Sequence, residues 1–286
     1  HVGLDWGELM FIDLTVSNIY PTFRFSSDEI VAYKARKGEL LISLEKYLLD
    51  GRNILDADKI QKSIFPQHDI DVFISHSHSH ADEDEAIRIA LSLENIGLTA
   101  FVDSCVWGYA DELLRKIDDK FCIPQGWSHY SYNLRNRTTT NVHLILNAAL
   151  QQMIKRSELF MFLGTENAIN IDDYMSGEGR LSSPWIFSEL TFAKSVKRSE
   201  RRIFQQGNES FEKMKSESRA LEPGFSYPLP KLKHEMSLQE FNGWLDKGIS
   251  VEAGFAGRIS GLTHLDTLYS KLGFSEVQLS EPRFKI

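Results

Sequence analysis

One segment of the sequence carries residue types and a spacing that suit catalysis. In SSPWIFSEL, Trp185 and Glu189 are four positions apart and therefore share one face of a helix. Ser182 or Ser183 can cap that helix and Pro184 fits its first turn, which fixes where Glu189 lies relative to the helix start. A carboxylate in a shielded pocket can stabilise positive charge that develops in a reaction. Without further context, the same pair is also what a packed Trp beside a solvated Glu would give.

Polar side chains end two of the predicted strands. Ser75, His76 and Ser77 follow DVFI, and Asp103 follows TAFV. Ligands of α/β sheets bind at the carboxyl ends of the strands, so these loops are candidates for contact with a ligand. The alternatives are a helix-capping turn for the first loop and a simple loop cap for Asp103.

Other candidate ligand groups give weaker indications. His76, His78 and His80 alternate, but no Cys or acidic residue recurs at a zinc-ligand spacing, so we predict no metal site. No Gly-rich phosphate loop follows a strand, which disfavours redox use of NAD. Aromatic and basic residues that could stack on adenine, hold phosphates or form an oligomer surface occur together in one stretch: Trp127, Tyr130, Tyr132, Arg135 and Arg137.

The elements that must position these residues follow an α/β pattern. DIDVFISHS, LTAFVD and ELFMFLGT are short apolar runs typical of buried parallel strands. Between the first two, Ala86, Ile89, Ala90 and Leu93 fall on one helical face. Helices are also predicted at about 142–156 and in SLQEFNGWLDKG and GLTHLDTLYSKLG, and FSYPLPK is a candidate fourth strand. The pattern predicts a parallel sheet with helices on both faces.

The chain divides into two parts on the same evidence. Residues 1–66 are predicted as an N-terminal accessory segment that begins with the strand-like FIDLTVSNIY. Residues 67–286 are predicted as the main domain, with an insertion at about 111–141 and a C-terminal helical extension. The charged segment 197–223 is expected to be mobile or loosely helical.

The order DVFISHS, FVD, ELFMFLGT and SPWIFSEL resembles that of the Toll/interleukin-1 receptor (TIR) family over residues 69–195. The resemblance implies a flavodoxin-like parallel sheet. It also implies the activity of the bacterial, Thoeris-like TIR proteins of anti-phage defence, which cleave the nicotinamide–ribose bond of NAD⁺. By position the catalytic residue is Glu189, with NAD⁺ as substrate and no cofactor. The implied substrate-binding residues are Ser75, His76, Ser77, Asp103, Trp107, Ser183 and Trp185.

The resemblance also bears on partners and on competing functions. It implies a homo-oligomer, and an effector protein activated by the nucleotide product is a candidate partner. The product could be linear, cyclic or conjugated ADP-ribose. A non-catalytic TIR interaction module is the main alternative, and transfer chemistry on nucleosides is a weaker one.

Composition excludes several classes of protein. The formal net charge is −8, without the basic excess of a duplex-DNA binder, so we predict no nucleic-acid partner. The only cysteines are Cys105 and Cys122, which argues against a disulfide framework and fits a reducing cytoplasm. No apolar run approaches the roughly 20 residues needed to cross a bilayer, and the first residues do not resemble a signal peptide. We therefore expect a soluble cytoplasmic protein without a membrane partner.

Overall fold

A computed structural model of the chain describes residues 11–22, 24–35, 70–77, 79–170, 179–181, 183–196, 227–252, 254–274 and 279. For residues 105–113, 170 and 255 it describes the backbone alone. Residues 27–35 are helical, and the charged segment 197–223 lies outside the described residues.

The described residues form an α/β fold. The strands, in chain order, are β1 Ile12–Ser17, β2 Val72–Ser75, β3 Ala100–Val102, β4 Leu159–Leu163, β5 Ile169–Asn170, β6 Arg180–Leu181, β7 Tyr227–Pro228 and β8 His234–Ser237. The helices are α1 His80–Asn95, α2 Ser104–Phe121, α3 Tyr132–Arg156, α4 Pro184–Ser195, α5 Leu238–Leu245 and α6 Phe255–Lys271. Within this part of the chain, a five-stranded parallel sheet has the order β3-β2-β4-β1-β8. β5, β6 and β7 form a small antiparallel sheet.

Both faces of the large sheet are covered by helices, as the sequence predicts. Leu14 and Met161 point to one face, where they join the buried residues of α1, α5 and α6. Phe73 and Phe160 stack at 5.6 Å on the opposite face, where α3 and α4 pack. This alternation along each strand produces two apolar cores on either side of one sheet. The architecture is consistent with the flavodoxin-like class.

The boundaries of the central elements match the sequence pattern. β2, β3 and β4 are buried along their whole length, which explains why they read as continuous apolar runs. The four apolar positions expected on one face of α1 are all buried. Gly97 follows α1 with φ at +89°, and a Cβ there would lie 2.1 Å from the backbone oxygen of Gly257. A side chain at position 97 would therefore push α6 away from α1.

The first strand lies inside the sheet. The sequence places Ile12–Ser17 in an accessory segment, but Leu14 is paired with Met161 of β4 on one side and with His234 of β8 on the other. β1 is therefore the link between β8 and the rest of the sheet. The roughly alternating pattern of FIDLTVSNIY suits a half-buried strand but does not reveal its pairing partners.

Two other regions differ in detail from the expectation. Residues 111–141, predicted as an insertion, are mostly helical, because α2 continues to Phe121 and α3 begins at Tyr132. Within the described part of FSYPLPK, Tyr227–Pro228 form a strand of the small sheet, and the last described strand of the large sheet is His234–Ser237. In the described part of the chain, no helix is both long and apolar enough to cross a membrane.

Candidate active site

The candidate site lies at the carboxyl edge of the sheet, where β2 and β3 end beside α4. Ser75 is the last residue of β2, Asp103 directly follows β3, and Glu189 lies in the second turn of α4. Parallel strands deliver their carboxyl ends to one edge, which is why residues far apart in sequence meet there. Of the predicted site residues, the structure brings Ser75, His76, Asp103 and Glu189 together.

Glu189 is buried, with only 2% of its surface exposed, and it faces the sheet. Its Oε2 accepts a 2.7 Å hydrogen bond from the Ser75 hydroxyl. Burial raises the pKa of Glu189 from 4.5 to about 7, and the hydrogen bonds from Ser75 and Asp103 oppose that rise. The carboxyl group therefore changes its charge near neutral pH.

The start of α4 determines where Glu189 lies. The Ser183 side chain accepts a 3.3 Å hydrogen bond from the backbone N–H of Ile186, and Pro184 follows in the first turn. The expected cap is confirmed, with Ser183 rather than Ser182 in that position. Ser183 therefore determines where α4 begins.

Asp103 is fully buried next to Glu189. Its Oδ1 accepts a 2.7 Å hydrogen bond from the backbone N–H of Ser104 at the start of α2. Burial, and after it the charge of Glu189, raise the pKa of Asp103 well above its ordinary value. With both groups ionised, no described residue donates to Asp103 Oδ2 or to Glu189 Oε1.

His76 turns into the protein from the loop after β2. Its ring is fully buried, and Nδ1 donates to the backbone carbonyl of Ser77. Nε2 lies 2.9 Å from Ser104 Oγ and 3.3 Å from Asp103 Oδ1. His76 therefore contacts Asp103 and positions the loop, and its imidazole is enclosed rather than open to a ligand.

A second polar cluster, centred on Asp82, adjoins the site. Asp82 accepts hydrogen bonds from the Ser77 hydroxyl, from Thr165 Oγ1 at 2.6 Å and from Asn167 Nδ2 at 3.3 Å. It ties the loop after β2 to the loop after β4. In the sequence, Asp82 lies in the acidic first turn of a helix, which the helix dipole explains without any tertiary partner. Only the pairing of β2 with β4 reveals that Thr165 lies beside it.

Trp185 and Arg135, two further candidates from the sequence, contact other parts of the fold. Trp185 is half-buried and packs edge-on against His143 of α3, with ring centroids 5.3 Å apart. Trp107 is within α2, and its side chain is not described. Arg135, a candidate for holding phosphate, contacts Asp118 at 2.9 Å and lies over the ring of Tyr130. The charge of Arg135 is therefore balanced within the protein.

An open cavity of about 560 Å³ lies away from these residues, between the loop after β1 and α5. Arg24 and Asp246 at its wall form a 2.8 Å salt bridge, so this arginine does not offer an unopposed charge to a phosphate. Among the described residues, no three His, Cys, Asp or Glu side chains come together as a metal site would require.

The comparisons with known proteins add no family assignment. Protein-family models, curated proteins and solved structures gave no match to this chain. The α/β class rests on the observed sheet, and any statement of activity rests on the chemistry of the carboxyl pair. That pair can stabilise positive charge and can accept a proton near neutral pH.

Proposed function

We propose that the chain is a TIR-type enzyme that cleaves the nicotinamide–ribose bond of NAD⁺ in the cytoplasm, as a glycohydrolase or cyclase. The observation that carries the proposal is the buried carboxyl of Glu189, held by Ser75 at the carboxyl edge of a parallel sheet. A polar network of this kind at a ligand-binding edge is a functional-site candidate, because burying a carboxylate costs stability that packing alone would not require.

Cleavage of the nicotinamide–ribose bond requires only one carboxylate near the ribose. When the bond between C1′ and the pyridinium nitrogen breaks, its electron pair goes to nitrogen and nicotinamide leaves neutral. Positive charge then develops at C1′ and the ring oxygen of the ribose. A nearby Glu189 carboxylate stabilises that charge, and the low polarity around it strengthens the interaction. The leaving group needs no general acid.

The fate of the ribosyl cation distinguishes the possible products. Attack by water gives ADP-ribose, whereas attack by a group of the same nucleotide gives a cyclic product. Either could act as a signal to an effector protein, which is the role that TIR resemblance suggests. Ser77 and Asp103 belong to the loops on which the substrate would lie, and Asp82 holds one of those loops in place.

Access to Glu189 requires a change in the site. With 2% of its surface exposed, Glu189 cannot touch a ribose until a neighbouring loop moves. Assembly into a homo-oligomer is a natural trigger for such a movement, since contacts between subunits can stabilise the open arrangement. We therefore propose that the isolated chain is in a low-activity state.

The direct test is incubation of the purified chain with NAD⁺, followed by chromatography for nicotinamide and mass spectrometry of the product. Reactions with and without a phage-infected lysate test for activation. The Glu189→Gln variant should release little nicotinamide, and Glu166→Gln, an exposed glutamate after β4, is the matched control. Parallel incubation with deoxynucleosides tests for transfer chemistry. If the wild-type chain releases no nicotinamide under any of these conditions, the non-catalytic interaction module becomes the better hypothesis.

A further inference from the structure

If both buried carboxyl groups of the site were ionised, each would have one oxygen without a hydrogen-bond donor. Asp103 Oδ1 accepts from the Ser104 backbone N–H, and Glu189 Oε2 accepts from the Ser75 hydroxyl. The other oxygens, Asp103 Oδ2 and Glu189 Oε1, are buried and have no donor in the described part of the chain. Two ionised acceptors side by side in a protein interior would repel each other, and neither would receive a hydrogen bond.

One proton removes both difficulties. A neutral carboxyl group has an O–H that can donate to a neighbouring carboxylate, so a single proton between two such groups satisfies one oxygen of each. It also reduces the charge of the pair from two to one. Pairs of this kind release their protons in two widely separated steps that belong to the pair as a whole.

We propose that Asp103 and Glu189 share one proton, with Asp103 as the neutral partner that donates to the Glu189 carboxylate. Asp103 is then a positioning residue that determines the pH at which Glu189 carries its charge. For catalysis this inference rests on the proposed function, but the shared proton itself does not.

The surroundings favour the proton on Asp103. The burial of Asp103 and the Glu189 charge both raise the pKa of Asp103 well above the ordinary range, while the hydrogen bond from Asp103 lowers the pKa of Glu189. Among the described side chains, the titratable groups near the pair are His76, which faces Asp103, and Glu83, which Ser104 Oγ contacts at 3.3 Å. Ser75 of β2, which donates to Glu189, is neutral, and so are Ser188 and Asn147, which join α4 to α3.

His76 offers the competing arrangement. An imidazolium could donate from Nε2 to an ionised Asp103, and the pair would then carry two negative charges beside one positive charge. The two arrangements differ in the charge of Asp103, and this difference is measurable.

The shared proton has a defined place in hydrolysis. The C1′–nitrogen bond breaks with its electrons going to nicotinamide, and water then forms a bond to C1′. The proton that water loses passes to the Glu189 carboxylate, so the pair holds two protons until one returns to solvent. The pair must therefore begin the cycle with one proton, because a pair with two cannot accept another.

The test compares Asp103→Asn with Asp103→Ala across a range of pH. The asparagine copies a neutral aspartic acid: its oxygen can accept from Ser104 and its NH₂ can donate to Glu189. We expect Asp103→Asn to lower kcat by about threefold and to leave the acid limb of the pH profile near the wild-type position. We expect Asp103→Ala to lower kcat by about thirtyfold and to move that limb to higher pH, because a hydrogen bond to a charged group is lost.

The competing arrangement, with an ionised Asp103, predicts that the acid limb of Asp103→Asn moves in the opposite direction to that of Asp103→Ala. If Asp103 is ionised, Asp103→Asn removes a negative charge beside Glu189, and the acid limb moves to lower pH. That displacement would overturn the shared proton.

A readout independent of NAD⁺ is the carbon-13 NMR signal of the Asp103 carboxyl in the aspartate-labelled full chain, assigned by its loss in Asp103→Asn. We expect the shift of a protonated carboxyl to persist between pH 6 and pH 8, about the range in which Glu189 titrates. Titration of this signal in the ordinary acidic range of aspartate would refute the inference, even in an active enzyme. If the signal persists in a chain that releases no nicotinamide, the result supports the shared proton and contradicts the proposed function.

Discussion

The Ser75 hydroxyl donates a 2.7 Å hydrogen bond to Glu189 across 114 residues of sequence, joining the end of β2 to the second turn of α4. This bond is the direct link between the sheet edge and the candidate catalytic carboxylate. Because both groups are buried, the loss of either leaves the other without its partner in a region that water does not reach.

Ser75→Ala should therefore affect both charge and stability. Without the donated hydrogen bond, the pKa of Glu189 should rise above about 7, and the acid limb of nicotinamide release should move to higher pH. Unfolding in urea should show a loss of about 1–3 kcal/mol at pH 8, where Glu189 is ionised, and a smaller loss at pH 5. Ser188→Ala, which removes a neutral hydrogen bond on the same helix, is the control. Equal pH profiles for the two variants would show that Ser75 does not tune Glu189.

Glu189→Gln should separate activity from stability. Nicotinamide release should fall by about 100-fold or more, because the principal charge of the site is lost. The folded-state pKa of Glu189 is raised from 4.5 to about 7, so its contribution to stability is full below pH 4.5 and is lost as the pH rises through 7. Glu189→Gln has no such group to ionise. Its free energy of unfolding should therefore rise relative to wild type by roughly 1.4 kcal/mol for each pH unit between the unfolded-state and folded-state pKa values. Melting temperatures at pH 5 and pH 8 measure the difference. A variant that melts progressively lower than wild type as the pH rises would contradict the raised pKa.

Trp185→Ala should lose stability and activity together. Trp185 packs against His143, so its removal loosens the contact of α4 with α3 on which the position of Glu189 depends. We expect a loss of about 2 kcal/mol, below the range for a fully buried Trp because this side chain is half-exposed. Urea unfolding and nicotinamide release on the same preparation measure both. Wild-type stability combined with lost activity would instead indicate direct contact between Trp185 and substrate.

Activity should depend on assembly. Because Glu189 is enclosed in the single chain, we expect the rate per molecule to be low in dilute solution and to rise with protein concentration or with infected lysate. Specific activity measured alongside sedimentation velocity tests this relationship. Full turnover by a dilute monomer would exclude assembly as the trigger.

The N-terminal strand should be essential rather than accessory. Leu14 is fully buried in β1, and Leu14→Ala should lower the free energy of unfolding by about 2–5 kcal/mol. Val31→Ala, in the helical segment 27–35, changes a side chain that is 63% exposed and should have almost no effect. Urea unfolding monitored by tryptophan fluorescence compares the two. Similar midpoints would mean that β1 contributes little to the sheet.

The sequence predicts those strands whose burial shows in their own residues. The runs that became β2, β3 and β4 are apolar throughout because they are buried on both faces, and their positions were predicted correctly. The last strand of the large sheet, HEMS, has only Met236 fully buried and shows no such run. It is an edge strand, and edge strands tolerate polar residues.

The candidate site divides in the same way. Glu189 could be selected because SPWIFSEL gives both a helix start and a carboxylate at a defined distance from it. Its hydrogen bond with Ser75 and its pairing with Asp103 depend on which strands are neighbours, which local patterns do not contain. Asp82 was missed for the same reason, since its partner Thr165 follows a different strand.

The position of β1 between β4 and β8 determines when the sheet can form during synthesis. Leu14 pairs with Met161 and with His234, so β1 leaves the ribosome well before its partners, which follow about 150 and 220 residues later. At roughly 5–20 residues per second, the second wait lasts about 10–40 s. During that time the edges of β1 are unpaired and its apolar face is uncovered, and pairing over such distances is intrinsically slow. We therefore expect β1 of the nascent chain to need protection from aggregation until β8 has been made.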